Sequence, residues 1–156
     1  MEAPEPPTLL DDLPVALTEH VGYLGIVLGQ RSQRLFEHTI ASLELRPIHY
    51  DYLECLSDRR VLTQRDLARI LEVDAARIVT ITDDLEARGL VVREVDPRDR
   101  RRNLIRLTGP GGRLLTRARA LATQVENQLL TPLTAGEGDD LRRLLRKVNG
   151  LDSPRV

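Results

Sequence analysis

The sequence is poor in aromatic residues. Of its 156 residues only 3% are aromatic, tryptophan is absent, and Phe36 is the single phenylalanine. A core without large rings must be built from Leu, Ile, Val and Ala, which favours the packing of helices on helices. With 41% hydrophobic residues, the chain is long enough to bury such a core. The composition therefore predicts a mostly helical protein.

The chain also lacks long apolar runs and has one cysteine. No apolar run reaches the roughly 18 residues that a membrane span needs, and a lone Cys55 forms no intrachain disulfide. The first residues lack the basic and then apolar order of a secretory signal, so we expect a cytoplasmic protein. Cys55 lies on an apolar helix face, and nothing in the sequence indicates the lowered thiol pKa that redox sensing requires.

Catalytic and metal-binding patterns are missing as well. We find no nucleophile beside a base, no glycine-rich phosphate loop and no paired-carboxylate motif, so we expect no enzyme activity and no cofactor. His20, His38 and His49 are spread over two predicted helices without the spacing of a zinc site. We therefore expect no metal.

Charge is distributed unevenly along the chain. The formal net charge is −1, yet ten arginines and only three acids lie between Arg88 and Arg119. The first fourteen residues contain four acids and no base. An asymmetry of this kind steers a polyanion to one surface of a protein.

The residues from Thr63 onward predict two helices joined by a short turn. Thr63 is placed to cap the first helix, and Asp66 completes a capping box. A turn at 72–73 follows, and Asp74 caps the second helix, which Gly89 ends. The residues expected to face inward are Leu67, Ile70 and Leu71 on the first helix and Ile78, Ile81 and Leu85 on the second.

The next stretch, LVVREVDPRDRRRNLIRLT, predicts two strands at about 90–95 and 104–107 with a turn at Asp96 and Pro97. Arginines cluster at this turn. A helix, a turn, a helix and then a charged hairpin form a layout typical of nucleic-acid binding. For an isolated hairpin, the alternative is a charged turn that is merely solvated.

Apolar stripes predict further helices on both sides of this unit. The first is a long helix of roughly 30 residues from about Asp12 to about Leu43. Its glycines Gly22, Gly25 and Gly29 permit either close approach of another helix or an ordinary bend. A second helix begins near Pro47 and ends by Asp58.

Two helices follow the hairpin. One of some 20 residues begins near Pro110 and is ended by Pro132, and a capping box of Thr134 and Glu137 begins the last. We expect one face of the last helix to point inward; its residues are Leu141, Leu144, Leu145 and Val148. One copy of the basic module cannot cover all these stripes, so we expect a homodimer that packs the terminal helices together.

The stretch LTQRDLARILEVDAARIVTITDDLEARGLVVREVDPRDRRRNLIRLT resembles the DNA-binding lobe of the MarR family of winged helix-turn-helix regulators, with DPRDRR and the later LT as its most specific signature. LRPIHYDYL and TAGEGDDLRRLLRKV extend the resemblance over most of the chain. It implies an obligate dimer, a wing in each minor groove and, in many members, a small-molecule site between the dimer and DNA lobes.

The resemblance divides the chain into four parts. We expect a flexible arm at 1–11, a helical dimerisation region at 12–46 and 109–150, a winged helix-turn-helix at 47–108 and a tail at 151–156. The fold class is thus mostly α with a small β-hairpin wing.

The expected DNA-binding residues lie on both helices of the unit and on the wing. They are Thr63, Gln64, Arg65, Ala75, Ala76, Arg77, Thr80, Arg98, Asp99, Arg100, Arg101 and Arg102. Arg77 offers the fork that reads guanine, while Thr80 and the alanine methyls suit thymine methyl groups. Family members often have a basic residue at Thr80 and polar residues at Ala75 and Ala76, so base reading is expected to be sparse.

The second helix of the unit, which we call the recognition helix, is expected to read few bases, and the wing is expected to compensate by adding affinity. Arginine is favoured in a narrow minor groove. By resemblance, Asp99 and Arg101 match the acid and base that the family pairs in its wing.

The expected effector site involves Tyr23, His38, His49 and Tyr52, near the region where the resemblance places a pocket for aromatic acids or phenols. The alternative for each is a place in the core or the dimer interface. The sequence thus predicts a dimeric DNA-binding regulator, a repressor that a small aromatic or phenolic effector releases from a palindromic operator. The alternative is a winged-helix factor that binds proteins, or coats DNA without sequence preference.

Overall fold

The computed structural model describes residues 14–59 and 61–151. In these residues the chain forms seven α-helices, a short 3₁₀ helix at Ala41–Leu43 and one antiparallel sheet. The helices are α1 Val15–Thr18, α2 Val21–Ile40, α3 Pro47–Arg59, α4 Gln64–Leu71, α5 Ala75–Ala87, α6 Gly109–Leu130 and α7 Ala135–Val148. The strands are β1 Leu62–Thr63, β2 Val91–Asp96 and β3 Asp99–Leu107. The mostly helical prediction with a small β-wing is confirmed.

The long first helix is predicted wrongly, since the chain breaks it between α1 and α2. His20 adopts an extended backbone (φ −93°, ψ 116°) and becomes the N-cap of α2. No residue of α1 is buried, so packing does not hold it in line with α2. The predicted start at Asp12 lies outside the described residues. A Cβ placed on any of Gly22, Gly25 or Gly29 would meet no heavy atom within 4 Å, so these glycines are not needed for close packing within the described part of the chain.

The predicted helix caps are confirmed. Thr63 Oγ1 accepts from the Asp66 amide at 3.1 Å, and Asp66 Oδ2 accepts from the Thr63 amide at 3.1 Å. Asp74 Oδ1 accepts from the Arg77 amide at 2.8 Å and thereby fixes the start of α5. A second capping box, of Thr134 and Glu137, begins α7. Such caps stabilise a helix by about 1 kcal/mol each, and they hold α4 and α5 in place at the surface.

The core of the helix-turn-helix lies between α3, α4, α5 and the sheet. The predicted inner face of α5, Ile78, Ile81 and Leu85, is buried. Leu67 is buried too, whereas Ile70 and Leu71 are half-buried against the same cluster.

The hairpin is longer than predicted, and it belongs to a three-stranded sheet of order β1-β3-β2. β3 begins at Asp99 because pairing with β2 continues past Val95 and Asn103, through an irregularity, to Asp96 and Asp99. The turn therefore holds only two residues, at 97–98, and Arg100, Arg101 and Arg102 lie on a strand. The two-residue strand β1 has no period of its own and was not predicted.

The apolar stripe of α7 does not face inward in the single chain, so that prediction is wrong for an isolated copy. Leu144, Leu145 and Val148 are 48%, 40% and 78% exposed. On α6 the stripe is buried at Leu115, Ala118 and Val125. Among the described helices, none combines the length and the apolar character that a bilayer crossing requires.

Candidate nucleic-acid interface

The outer face of α5 is short, exposed and nearly uncharged in its first two turns. Ala75, Ala76, Arg77 and Thr80 are all exposed. The Thr80 hydroxyl donates to the Ala76 carbonyl at 3.2 Å, so its proton is used within the helix and its methyl group is left for contacts. Within the described residues, Arg77 forms no ion pair. One guanidinium among small side chains is the available base-reading chemistry of this face.

The last turns of α5 are acidic, and arginines from other positions neutralise them. Arg93 on β2 donates to the carboxylates of Asp83 and Glu86. Asp84 pairs with Arg88 at 3.6 Å, one helical turn further along. Sequence reasoning could find the second pair from its i,i+4 spacing. It missed the first pair, because no helical period links Arg93 to α5.

The start of α4 and the wing strand enclose a surface cavity of about 550 Å³. The predicted residues Thr63, Gln64, Arg65 and Arg102 line it, together with Asn103, which was not predicted. The Thr63 hydrogen bonds lower the pKa of Asp66. Asp66 therefore stays ionised as a cap. The N-terminus of α4 and the two arginines make this cavity suitable for a phosphate.

The wing offers further arginines. Arg98, Arg100 and Arg102 are exposed, and Asp99 is half-buried. The Asp96 carboxylate accepts from the Arg98 amide at 2.9 Å and so orders the turn. The side chain of Arg101 lies outside the described part of the structure. Alternation along β3 places Arg100 and Arg102 on the same face of the strand.

The structure does not bring the four predicted effector residues into one cavity. Tyr52 is fully buried, and its hydroxyl bonds the Thr82 hydroxyl at 2.7 Å. Tyr23 is half-buried and His38 exposed, both on α2. Only His49 lines the cavity of about 440 Å³ formed by residues of the α2–α3 loop, α3 and α5. Of the four, Tyr52 thus occupies a core position, and Tyr23 and His38 do not line this cavity.

His49 is buried and takes hydrogen bonds from the neighbouring Arg46. The Arg46 guanidinium lies 2.8 Å from His49 Nε2, and Asp84 lies 3.7 Å away. Burial, followed by the charge of Arg46, lowers the pKa of His49 to about 4. The imidazole is therefore neutral near pH 7. Arg88 lines the same cavity and donates to the Glu44 carbonyl at 2.9 Å, which links α5 to the loop after α2.

Cys55 and the histidines add no second site. Burial, with the charge of Asp51 next, raises the pKa of the half-buried Cys55 thiol. A raised pKa is the opposite of what a reactive thiol needs. Over residues 14–59 and 61–151, no three His, Cys, Asp or Glu side chains are grouped to hold a metal ion.

A helix-turn-helix followed by an arginine-rich antiparallel hairpin is a winged helix-turn-helix, a class of DNA-binding proteins. The model of the MarR family matches residues 43–102. The chain is 34% identical over 139 residues to the HTH-type transcriptional repressor NicR of Pseudomonas putida, covering 89% of this chain and 88% of that protein. It is 30% identical over 129 residues to the multiple antibiotic resistance protein MarR of Escherichia coli K12, covering 82% of this chain and 90% of that protein.

Comparison with solved structures supports the same family. The crystal structure of a mutant MarR from Escherichia coli complexed with operator DNA matches with a TM-score of 0.71 at 27% identity, over 82% of this chain and 92% of that one. The chain belongs to the MarR family, and it is a DNA-binding transcriptional regulator of that family rather than an enzyme.

Proposed function

We propose that the protein is a homodimeric repressor that reads a palindromic operator and leaves it when a small anionic effector binds. The observation that supports operator binding best is the exposed face of α5 beside a wing on which Arg98, Arg100 and Arg102 are exposed. In a two-fold dimer, two such helices enter successive major grooves, so the operator is a roughly 16 to 20 base-pair imperfect palindrome. The wings then lie over the flanking minor grooves, where arginine is favoured.

In this proposal Arg77 supplies sequence specificity and the wing arginines supply affinity for DNA of any sequence. Arg77→Ala should cost roughly 1 to 3 kcal/mol per half-site on the operator and far less on a scrambled duplex. Arg101→Ala should weaken binding to both duplexes. Fluorescence anisotropy on both duplexes measures this. The second candidate is a factor that coats DNA without reading bases, and the sparse base-reading chemistry of α5 supports it. If Arg77→Ala weakens binding to both duplexes equally, this second candidate is favoured.

The dimer is proposed from the uncovered stripe on the terminal helices. Leu144, Leu145 and Val148 on α7 are exposed, as are Val21 and Ile26 on α2. Large apolar patches are rare on monomers, and a second copy of the same surface covers them by two-fold symmetry. We propose that residues 12–46 and 109–150 form the dimerisation region.

Sedimentation at micromolar concentration tests the dimer. Leu144→Glu should shift the mass toward the monomer and weaken operator binding. Arg143→Glu is the matched control, because it places the same acid one residue away on a side chain that is 61% exposed in an ion pair with Asp140. A wild-type monomer mass, or equal effects of both variants, contradicts the proposal.

The effector site is proposed at the cavity lined by Arg46, His49 and Arg88. Its volume of about 440 Å³ suits a small aromatic acid. Arg88 already pairs with Asp84, so Arg46, whose described side-chain partner is the neutral His49, is the guanidinium that would bind a carboxylate or phenolate. Asp84 lies on α5 and Arg88 is its C-cap, so a ligand bound here would contact the recognition helix directly. A ligand releases DNA only through different affinities for the two arrangements of the lobes.

Benzoate and 4-hydroxybenzoate are suitable probes. We expect them to raise the unfolding temperature and to lower operator affinity, and Arg46→Gln should reduce both effects. If compounds that stabilise the protein leave operator affinity unchanged, the sensor part of the proposal is wrong while the DNA-binding part stands.

A further inference from the structure

The recognition helix α5 has a net negative charge, because its last turns are acidic. Between Ala75 and Ala87 it holds one base, Arg77, and three acids, at 83, 84 and 86. A helix that enters a groove between two phosphate chains meets a high density of negative charge. An unpaired carboxylate on this helix therefore opposes DNA binding, and the helix needs compensating cations.

Arg93 supplies the compensation from the neighbouring strand β2. One terminal nitrogen of its guanidinium donates to Glu86 Oε2 and the other to Asp83 Oδ1. The Arg93 backbone amide donates to Glu86 Oε1 at 3.0 Å, so both the strand and its side chain hold the helix. The Arg93 side chain is 22% exposed, whereas that of Asp83 is 61% exposed.

Burial opposes the Arg93 charge, but the hydrogen bonds to Asp83 and Glu86 outweigh it and raise its pKa. The ion pairs are thus kept at every pH at which the protein is folded and the carboxylates are ionised. Ion pairs that are partly sheltered from water are also screened less by salt than fully exposed ones.

We propose that Arg93 is a positioning residue for DNA binding: it neutralises Asp83 and Glu86 and fixes the angle between α5 and the wing. The proposal rests on the proposed binding of DNA through α5. Each terminal nitrogen of Arg93 donates to a carboxylate, so its action on DNA is exerted through the two acids rather than through a phosphate contact.

A mutant cycle on the operator tests it. Arg93→Met keeps an unbranched apolar stem and removes the charge, and we expect at least about a tenfold loss of affinity, because like charges brought together are strongly unfavourable at an interface. In a background with Asp83→Asn and Glu86→Gln, the same Arg93→Met change should alter affinity by less than about threefold. Non-additivity of this kind reports a direct coupling between the residues.

Arg106→Met is the matched control. Arg106 on β3 pairs with Glu94 on β2, so this ion pair lies within the same sheet as Arg93 and its acid is on the wing rather than on α5. Its removal leaves an acid unpaired on the wing but none on the helix, so operator affinity should change by less than about threefold. All affinities are measured at least 15 °C below the unfolding temperature of the weakest variant, as determined by circular dichroism.

The outcomes separate the possible roles. If Arg93→Met weakens binding equally in both backgrounds, Arg93 contacts DNA itself or merely supports the fold, and the proposal is wrong. If it weakens binding in neither background, the acids do not face DNA and the proposal is also wrong. If the wild-type protein binds no duplex at all, the proposed function fails before this inference is reached.

Discussion

Gly111, in the first turn of α6, allows the wing and the following helix to come together. A Cβ built on Gly111 would lie 2.1 Å from the Leu90 carbonyl oxygen and 2.9 Å from Leu107 Cδ1. The Leu90 oxygen cannot retreat freely, because the Thr108 amide and hydroxyl both donate to it, at 3.1 and 3.0 Å. Gly111→Ala therefore requires a shift of the backbone where the wing joins α6.

The cost can be estimated from these contacts. Overpacking of this kind costs about 1 to 3 kcal/mol. Weakening the two bonds to the Leu90 oxygen adds about 1 kcal/mol, and the better helix propensity of Ala returns at most about 1 kcal/mol. We expect Gly111→Ala to destabilise the protein by about 2 kcal/mol. For a chain of this size, that lowers the unfolding temperature by about 4 to 8 °C.

Gly112→Ala is the matched control at the next position. Its Cβ would meet only Leu107 Cδ2, at 3.9 Å, which is an ordinary contact. This variant should be as stable as the wild type or up to about 1 kcal/mol more stable. Urea and thermal unfolding followed by circular dichroism measure both variants. A Gly111→Ala protein that is as stable as Gly112→Ala would refute the reasoning.

Three further outcomes are expected. The pKa of His49 is about 4 in the folded protein against 6.5 in a free chain, so the unfolded state binds a proton first as pH falls. The free energy of unfolding should therefore drop by up to about 3 kcal/mol between pH 6.5 and 4. Urea unfolding over this range should show a weaker drop for His49→Gln. Tyr52→Phe should lower the free energy of unfolding by about 1 kcal/mol, measured the same way, because it deletes the buried bond to Thr82. Replacing an operator thymine read by Thr80 or Ala76 with uracil should raise the Kd about fourfold per methyl group in anisotropy titrations, and an unchanged Kd would contradict methyl reading.

The sequence predicted the helix-turn-helix well because its signals are local. The capping box at Thr63 and Asp66, the cap at Asp74 and the inner face Ile78, Ile81 and Leu85 all depend on residues within one or two helical turns. Local hydrogen bonds and a helical period are readable from one chain. The ends of these elements accordingly fall within a residue or two of their predicted positions.

Features that depend on distant contacts were missed. The strand β1 exists because Leu62 and Thr63 pair with Ile105 and Leu104, some forty residues away. For Tyr52 the sequence left a pocket and the core as alternatives; it lies in the core, where its hydroxyl bonds the Thr82 hydroxyl on α5. The same limit applies to Arg93, whose two partners lie on a different element. No period or motif in one sequence reports such pairs.

The salt dependence of DNA binding follows from which arginines the fold has already paired. Within the described residues Arg88, Arg93 and Arg106 pair with acids of the same chain, so they are not counted as phosphate ligands. Among the expected DNA-binding residues, the exposed arginines that form no ion pair with a described residue are Arg65, Arg77, Arg98, Arg100 and Arg102.

With five such cations in each subunit of the proposed dimer, these residues alone contribute at most about −9 to the slope of log K against log salt concentration, since each neutralised phosphate contributes about 0.9. Exchanging Arg100 for Ala should make the slope shallower by up to about 1.8, because both subunits lose a cation. Exchanging Arg106, already paired with Glu94, should leave it unchanged. Anisotropy titrations between 50 and 300 mM salt measure the slope. A wild-type slope shallower than about −3 would mean fewer than two phosphates per subunit, and the arginines of the wing would then not bind the DNA backbone.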